Sequence, residues 1–531
     1  MTFIRSSVLR SFMFNGGSWR SSGQGALLAA WVAVSSAAWG QEAAPEVPPP
    51  DAPPPAAVLH EITARELKAH VAFLASDLLK GRDTATPESR LAAEYLAAQL
   101  LGHGATPGGD ILEDGQASYL QKFPLARVAP DPETTTLEVI VETPAEEEGG
   151  QPVRKTATYR MGRDFQLLGV GTQTETRSGA VVFAGRPTEA APAVDEAGVF
   201  VIRDPSAPSR RLQRQAEGAD APKPPLATLL YRGAGFDPSQ GRVRSSLTLL
   251  EAERPADPTL ILPESARELL GFDPNDTTPR ALPQVQMTLN LGVTREDLFD
   301  HNVVGFFPGS DPERTREVII LSAHYDHIGV APNGEVFNGA DDNASGTAGL
   351  LEVLEALASG PRPARTVAFL WVSGEEKGLL GSRWFANHVS LPEGYEIVGN
   401  VNMDMISRND PLAISLTPSD KHPSHNTIVA HAVAACQAEG IEARFDADQY
   451  FFRTDSANFA RKGIPVVFFF CGIHPDYHRV SDDVDKGDFD KAAKVTRAVY
   501  RLVWSLANAT DRPRVTAEAE TKTDPNIGST D

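Results

Sequence analysis

Two adjacent glutamates, Glu375 and Glu376, close the apolar run Thr366-Val-Ala-Phe-Leu-Trp-Val-Ser-Gly. His324-Tyr-Asp326 closes another apolar run upstream, and Gly339-Ala-Asp341-Asp342-Asn-Ala-Ser-Gly follows it. Asn402-Met-Asp404-Met and Asp476-Tyr-His478 complete the series. Carboxylates and imidazoles thus recur where buried strands are expected to end. Oxygen and imidazole donors without thiolates suit zinc in a catalytic rather than a structural site. Each group alone has a plainer explanation. Asp341 and Asp342 read as the N-cap of a helix from Ser345 onward, Glu375 and Glu376 as a solvated turn, and His324 as a core histidine. Asp404 resists this, because a carboxylate inside Val401-Asn-Met-Asp-Met-Ile is costly unless paired or bound to metal. Together the set favours a metal centre.

The elements that must position these groups alternate between strand and helix from about Asn302. Strands are expected at Glu317-Val-Ile-Ile-Leu, at Thr366 to Val372, at Ile397-Val-Gly-Asn-Val-Asn-Met and at Pro465-Val-Val-Phe-Phe-Phe. Continuous apolar runs of this kind suit strands buried on both faces of a mostly parallel sheet. Helical stripes fall at 345–357, 426–439 and 491–507. The expected fold class is therefore α/β, a mostly parallel central sheet flanked by helices. In such sheets ligands bind beyond the carboxyl ends of the strands. His324, Glu375, Glu376, Asp404 and His478 would converge on one crevice there. Upstream, Thr63-Ala-Arg-Glu66 is a capping-box start, followed by Leu67, Val71, Leu74 and Leu78 at helical spacing.

Residues 126–290 differ in texture, with short strand-like runs at Thr136-Leu-Glu-Val-Ile-Val, Ala180-Val-Val-Phe-Ala and Gly198-Val-Phe-Val-Ile. They carry no cluster of catalytic residue types and read as an inserted β-rich domain. A chain of 531 residues needs more than one domain. The expected division is a signal peptide at 1–40, a Pro-rich linker at 41–58, and a catalytic domain in two parts, 59–125 and 291–510. The insert lies between the two parts, and a polar, disordered tail covers 511–531.

Arg5, Arg10 and Arg20 precede the apolar run from Ala26 to Trp39, which is long enough for a signal h-region and short for a bilayer span. Cleavage is expected before Gln41, giving an exported protein, periplasmic or secreted, with no stable membrane span afterwards. A formal net charge of −21 argues against nucleic acid or an anionic membrane as partner. Cys436 and Cys471 are the only cysteines and read as two unpaired structural thiols.

His324-Tyr-Asp326, Gly339-Ala-Asp341-Asp342-Asn343-Ala-Ser345-Gly, Gly374-Glu375-Glu376-Lys-Gly-Leu-Leu-Gly-Ser382, Asn402-Met-Asp404 and Tyr477-His478 together resemble the secreted di-zinc aminopeptidases of the bacterial leucyl aminopeptidase and aminopeptidase Y type. The motifs stand in that family's order. The insert more weakly resembles a protease-associated domain. The resemblance implies two Zn²⁺ ions. Asp341 would bridge them, His324 and Asp404 would complete one site, and Glu376 and His478 the other. Glu375 would be the general base for a metal-activated water, and Asp326 would orient His324. A cis peptide is implied after the bridging aspartate, at Asp341–Asp342. The implied partner is a peptide with a free N-terminus.

Two departures touch specificity. Thr454-Asp455-Ser456 stands where the family often has Ser-Asp-His, and His478-Arg-Val-Ser-Asp482 where it often has His-x-Pro-x-Asp. The candidate substrate pocket is Tyr450, Phe451, Phe452, Arg453, Asp455 and Ile473. Nearby arginines, including Arg453 and Arg479, keep a glutamate-type carboxypeptidase or dipeptidase open as an alternative. A glutaminyl cyclase or a non-catalytic receptor-like protein fits the glutamate pair and the five-ligand set less well.

Overall fold

The computed structural model describes Pro49 and residues 52–516, except 146–149, 170, 186–196, 204–224, 232–236, 239–244, 253–255 and 274. The expected signal peptide, most of the linker before Ala52 and the tail beyond Thr516 lie outside the described residues. No helix among the described residues is long and apolar enough to cross a membrane.

The chain opens a first sheet with β1 (Thr106–Pro107) and β2 (Leu120–Pro130). It then leaves for β3 (Thr136–Thr143), β4 (Val153–Arg160), β5 (Gln166–Leu168), β6 (Glu175–Phe183), β7 (Phe200–Arg203) and β8 (Ala227–Tyr231). After β9 (Ser246–Leu249), β10 (Thr259–Leu262) and β11 (Arg280–Leu291), it returns to the first sheet at β12 (Val293–Phe307). The strands β13 (Glu317–His324), β14 (Thr366–Val372), β15 (Glu396–Met403), β16 (Ala413–Thr417), β17 (Glu442–Arg444) and β18 (Val466–Phe470) come next.

The first sheet has the order β17-β16-β18-β15-β13-β14-β12-β2-β9, with β1 beside β12. Its centre is parallel, through the pairs β13·β14, β13·β15 and β15·β18. Its flanks are antiparallel through β12·β14, β12·β2, β2·β9 and β16·β18, with the edge pair β16·β17 parallel. The sheet is therefore mixed rather than mostly parallel. The sequence pattern misleads here because both-face burial governs it, and antiparallel strands in the middle of a covered sheet meet the same demand. All seven residues of β14 are buried, as the apolar run predicted.

The second sheet, β4-β3-β11-β6-β7-β8-β10-β5, encloses its own core of residues such as Leu137, Phe165, Phe200, Leu260 and Met287. Its borders differ from 126–290, since β2 stays in the first sheet to Pro130 and β12 begins at Val293. Within that span, β9 also reaches back to pair Leu249 with Leu125 of β2.

Helices cover the first sheet. Leu350, Leu351, Val353, Leu354 and Leu357 of the helix Gly346–Ser359 are buried, as is most of Phe489–Asn508. Thr63 caps the helix Ala64–Leu74, its hydroxyl accepting from Glu66 N at 3.2 Å. The reciprocal half of the capping box is missing, because the Thr63 N–H donates to Glu352 Oε2 instead, at 3.2 Å. The helix stops at Leu74, leaving Leu78 84% exposed.

Both ends of the described chain pack more than their composition suggests. The helix Ala56–Leu59, which straddles the expected end of the linker, buries Val58 and Leu59, and Trp504 Nε1 donates to Ala52 O at 2.9 Å. In the expected tail, Arg512 pairs with Glu317 at 2.7 Å and Glu396 at 2.9 Å, and Val515 bridges Asn426. Ion pairs and backbone pairing anchor these segments, and neither leaves an apolar periodicity to read. Cys436 and Cys471 are buried and unpaired.

Candidate metal centre

Four strand ends supply the centre. His324 is the last residue of β13, Glu375 and Glu376 follow β14, Asp404 follows β15, and His478 lies in the loop after β18. Gly374 makes the turn off β14 at φ +77°, in the left-handed region that a side chain disfavours. A Cβ there would stand 3.0 Å from Leu380 Cβ.

His324 is fully buried, with Nε2 at 3.3 Å from Asp404 Oδ1 and 3.4 Å from Asp342 Oδ1. The other oxygen of Asp342 lies 3.2 Å from His478 Nε2. His478 Nε2 is also 3.1 Å from Glu376 Oε2, and His327 Nδ1 is 2.9 Å from Glu376 Oε1. One carboxylate, that of Asp342, thus faces two imidazole–carboxylate groups, His324 with Asp404 and His478 with Glu376. Burial works against ionisation of Asp342, but its hydrogen bonds to His324 and His478 hold its carboxyl well below the usual range. Burial also opposes the charge on His478, yet Asp342 and Glu376 lift its imidazole to about 10.

The carboxylate between the two groups is that of Asp342, not Asp341 as expected. The Asp341 carboxylate turns the other way. Its Oδ1 accepts from Ser407 N at 2.8 Å, Ser407 Oγ at 2.7 Å and Ser345 Oγ at 3.0 Å. Its Oδ2 accepts from Cys471 Sγ at 3.2 Å and faces His474 Nε2 at 3.3 Å. The cis peptide follows the same shift by one residue, lying at Asp342–Asn343 rather than Asp341–Asp342. Consecutive side chains in this turn diverge, and spacing along the chain could not say which of two aspartates faces inward.

Asp326 ties the parts together. Its Oδ1 accepts the Glu375 backbone N–H at 3.2 Å and stands 3.7 Å from His324 Nδ1, while Oδ2 accepts from Thr84 Oγ1 at 2.8 Å. Burial raises its carboxyl to about 6, with His324 opposing the rise and Glu376 adding to it. Burial likewise pushes the Glu375 carboxyl well above the ordinary range; His324 counters it, and Glu376, Asp455 and Asp404 add to it.

Asp342, Glu375 and Asp404 open onto a pocket walled by Met405, Tyr450, Arg453, Phe468, Phe470, Ile473, Tyr477 and His478. Of the six expected pocket residues, Tyr450, Arg453 and Ile473 line it. Phe451, Phe452 and Asp455 do not. Phe451 is buried in a core with Phe459 and Phe385, Phe452 is 46% exposed beside His422, and Asp455 is sealed behind the site. The two-turn 3-10 helix Asp448–Arg453 points successive side chains in different directions, so sequence adjacency does not mean a shared wall. The sequence reading missed Phe468, Phe470 and His327. The first two alternate along β18 and share a face, a period-2 signal that was available.

The donors fit a cation. Asp342 Oδ2 and Glu376 Oε1 are buried and face imidazole nitrogens, of His478 at 3.2 Å and of His327 at 2.9 Å, and His327 Nε2 is buried without a hydrogen-bond partner among the described residues. Two ligand groups lie within metal-binding reach, His324 with Asp342 and Asp404, and His327 with Asp342 and Glu376. Packing this many buried carboxylates together is costly without positive charge between them.

Residues 302–503 match the model of Peptidase family M28. A "Probable leucine aminopeptidase" of Trichophyton verrucosum (strain HKI 0517) is 30% identical over 210 residues, 38% of this chain and 57% of that relative. The "Leupeptin-inactivating enzyme 1" of Streptomyces exfoliatus is 29% identical over 213 residues, 40% of this chain and 44% of that relative. The chain therefore spans about half the length of these curated relatives. Among solved structures, the aminopeptidase from Aneurinibacillus sp. strain AM-1 superposes with a TM-score of 0.50 at 18% identity, covering 86% of this chain and 96% of that one. That likeness is one of fold.

Proposed function

We propose that this chain, whose residues 302–503 match the model of Peptidase family M28, is an aminopeptidase that holds two zinc ions and removes N-terminal residues from peptides. The observation that carries this reading is the Asp342 carboxylate set between His324 and His478, with Glu375 beside it on the pocket. The aminopeptidase names of the relatives support the same substrate class.

His324, Asp342 and Asp404 are the ligands of one ion; Asp342, Glu376 and His478 those of the other. When bound, such a pair supplies a water nucleophile near neutral pH and polarises the scissile carbonyl. Glu375 accepts the proton released as water attacks and delivers it to the departing amine. The Asp326 carboxylate accepts the Glu375 N–H and its backbone carbonyl lies 3.1 Å from His324 Nδ1, so one residue orients both the base and a ligand. Tyr450, Phe468, Phe470 and Ile473 form an apolar wall for the first side chain of the substrate. Such a wall discriminates by about 1–3 kcal/mol per methylene, so the preference is graded. The test compares leucine anilide with its N-acetylated form. Equal cleavage of the two would end the aminopeptidase reading and leave a hydrolase.

Arg453 favours a second reading on the same scaffold. It lines the pocket, stacks 5.5 Å from the Tyr450 ring, and has no ion-pair partner among the described residues. A free guanidinium there suits a substrate carboxylate, as in a dipeptidase or carboxypeptidase.

Export to the periplasm or medium is proposed from residues 1–40, with Arg5, Arg10 and Arg20 ahead of the apolar run. N-terminal sequencing of the expressed protein should begin at Gln41; an intact leader would count against it. The segment carrying the second sheet is proposed to be a protease-associated-like domain that provides no metal ligand, and a zinc-loaded structure with a ligand from that segment would refute this.

A further inference from the structure

His327 is the one imidazole of the centre to which neither ion's ligand set gives a task. It sits three residues past the end of β13, wholly buried, and its backbone N–H donates to Arg82 O at 3.3 Å. Nε2 has no hydrogen-bond partner among the described residues, and Nδ1 meets only carboxylate oxygens. Nδ1 lies 2.9 Å from Glu376 Oε1 and 3.9 Å from Asp342 Oδ2. These are the two carboxylates that also approach His478 Nε2, at 3.1 and 3.2 Å.

The surroundings hold this ring in place. Gly339, at φ +56°, lies against it, and a Cβ there would come within 2.6 Å of the His327 ring. The buried Arg82 guanidinium clamps the flanking segments, donating to Tyr325 O at 2.7 Å, Asn338 O at 2.7 Å and Gly339 O at 3.1 Å. A core histidine with a structural role normally satisfies at least one ring nitrogen. This one is buried and held, leaves Nε2 without a partner, and aims Nδ1 at two carboxylates that also face His478.

We infer that His327 Nδ1 is a direct ligand of the ion held by Asp342, Glu376 and His478. The inference rests on the two-zinc reading. It makes the two sites unequal. Asp342, Glu376, His478 and His327 offer four protein donors to one ion, the number that closes a tetrahedral site. His324, Asp342 and Asp404 offer three to the other, which leaves a position for substrate. The four-donor site fills first and releases its ion last.

The experiment measures zinc content and affinity by chelator competition for the full-length parent, His327→Ala and His327→Gln, with folding checked by circular dichroism. The parent should bind two zincs, one far more tightly. Losing a group that merely orients a ligand costs about 10–100-fold in metal affinity, so losing a ligand should cost the tight site at least the upper end of that range in both variants. Glutamine can still donate to Glu376. If His327→Gln keeps the parent affinity, His327 is a hydrogen-bonding support and the inference fails. If the parent binds two zincs and both variants match it, the inference also fails while the two-zinc reading stands. A parent that binds no zinc overturns both. Zinc-edge anomalous diffraction from the loaded parent needs no variant. Nδ1 within about 2.0–2.1 Å of an ion is the expected result, and separation well beyond that overturns it.

Discussion

The carboxylates of Asp341 and Asp342 point to opposite sides of one turn. Asp342 faces His324 and His478 at 3.4 and 3.2 Å, while Asp341 is spent on Ser407, Ser345 and Cys471. The backbone N–H groups of both residues donate to Asp482, at 3.1 Å for the Asp342 bond. One residue presents charge to the centre, and its neighbour fixes the turn that does so.

Substitution at the two positions should therefore separate cleanly. Asp342→Asn should lose zinc at both sites and all activity while folding. Asp341→Ala should strand several buried donors at about 1–3 kcal/mol and lower the melting temperature. Its folded fraction should keep zinc. Metal analysis alongside thermal unfolding decides, and equal zinc loss in both variants would undo the assignment.

Glu375 and Glu376 form a second such pair. Glu375→Gln should keep both metals and lose at least about two orders of magnitude in turnover, the scale of general acid–base catalysis. Glu376→Gln should lose metal as well as rate. Two variants alike in zinc content would mean that the roles of base and ligand are wrongly divided.

Much of this centre could be read in the chain because strand ends and ligand types coincide. Residues 366–372 announce a buried strand, and the side chains just past its end are placed by the sheet rather than by local preference. His324, Glu376, Asp404 and His478 are found together for that reason. What the chain does not encode locally is direction. The choice between Asp341 and Asp342 depends on a turn whose side chains diverge, and Phe451 is drawn into the core by Phe459, which lies beyond it on the next helix. A histidine beside a motif carries no periodic signal, so the chain does not mark His327; only its burial against Glu376 and Asp342 does. The antiparallel flanks of the sheet were hidden by the same both-face burial that revealed its centre.

Glu352 gives a pH test away from the metals. Its Oε2 accepts the Thr63 N–H, its Oε1 faces His70 Nε2 at 3.6 Å, and it is 2% exposed. Burial raises its carboxyl from 4.5 to about 8, and Glu66 and Glu355 add to the rise. Burial lowers His70, so the imidazole supplies little compensating charge near neutral pH. A raised folded value means that the protonated form is favoured in the native state. This contribution to stability is full below about 4.5 and is lost as pH rises through about 8. Glu352→Gln should match the parent in melting temperature near the acid end of that window and exceed it increasingly toward the alkaline end. A tenfold change in proton affinity is about 1.4 kcal/mol, so the gain should exceed about 1 kcal/mol. A constant offset across the window would show that Glu352 ionises normally.

Arg453 decides how far along the substrate recognition extends. Its guanidinium lies on the pocket wall beside Tyr450 and has no ion-pair partner among the described residues, so it is available to a ligand. In a dipeptide the C-terminal carboxylate is one residue from the scissile bond; in a longer peptide that position is a neutral amide. A hydrogen bond to a charged group is worth about 1.5–3 kcal/mol, roughly tenfold to a hundredfold in kcat/KM. Leucyl-glycine should therefore outpace leucyl-glycinamide by such a factor. Arg453→Met, which keeps a long apolar stem but no charge, should erase that difference while leaving leucine anilide nearly unaffected. If the acid and the amide are cleaved equally by the parent, Arg453 does not read a carboxylate, and the dipeptidase alternative falls while the aminopeptidase reading stands.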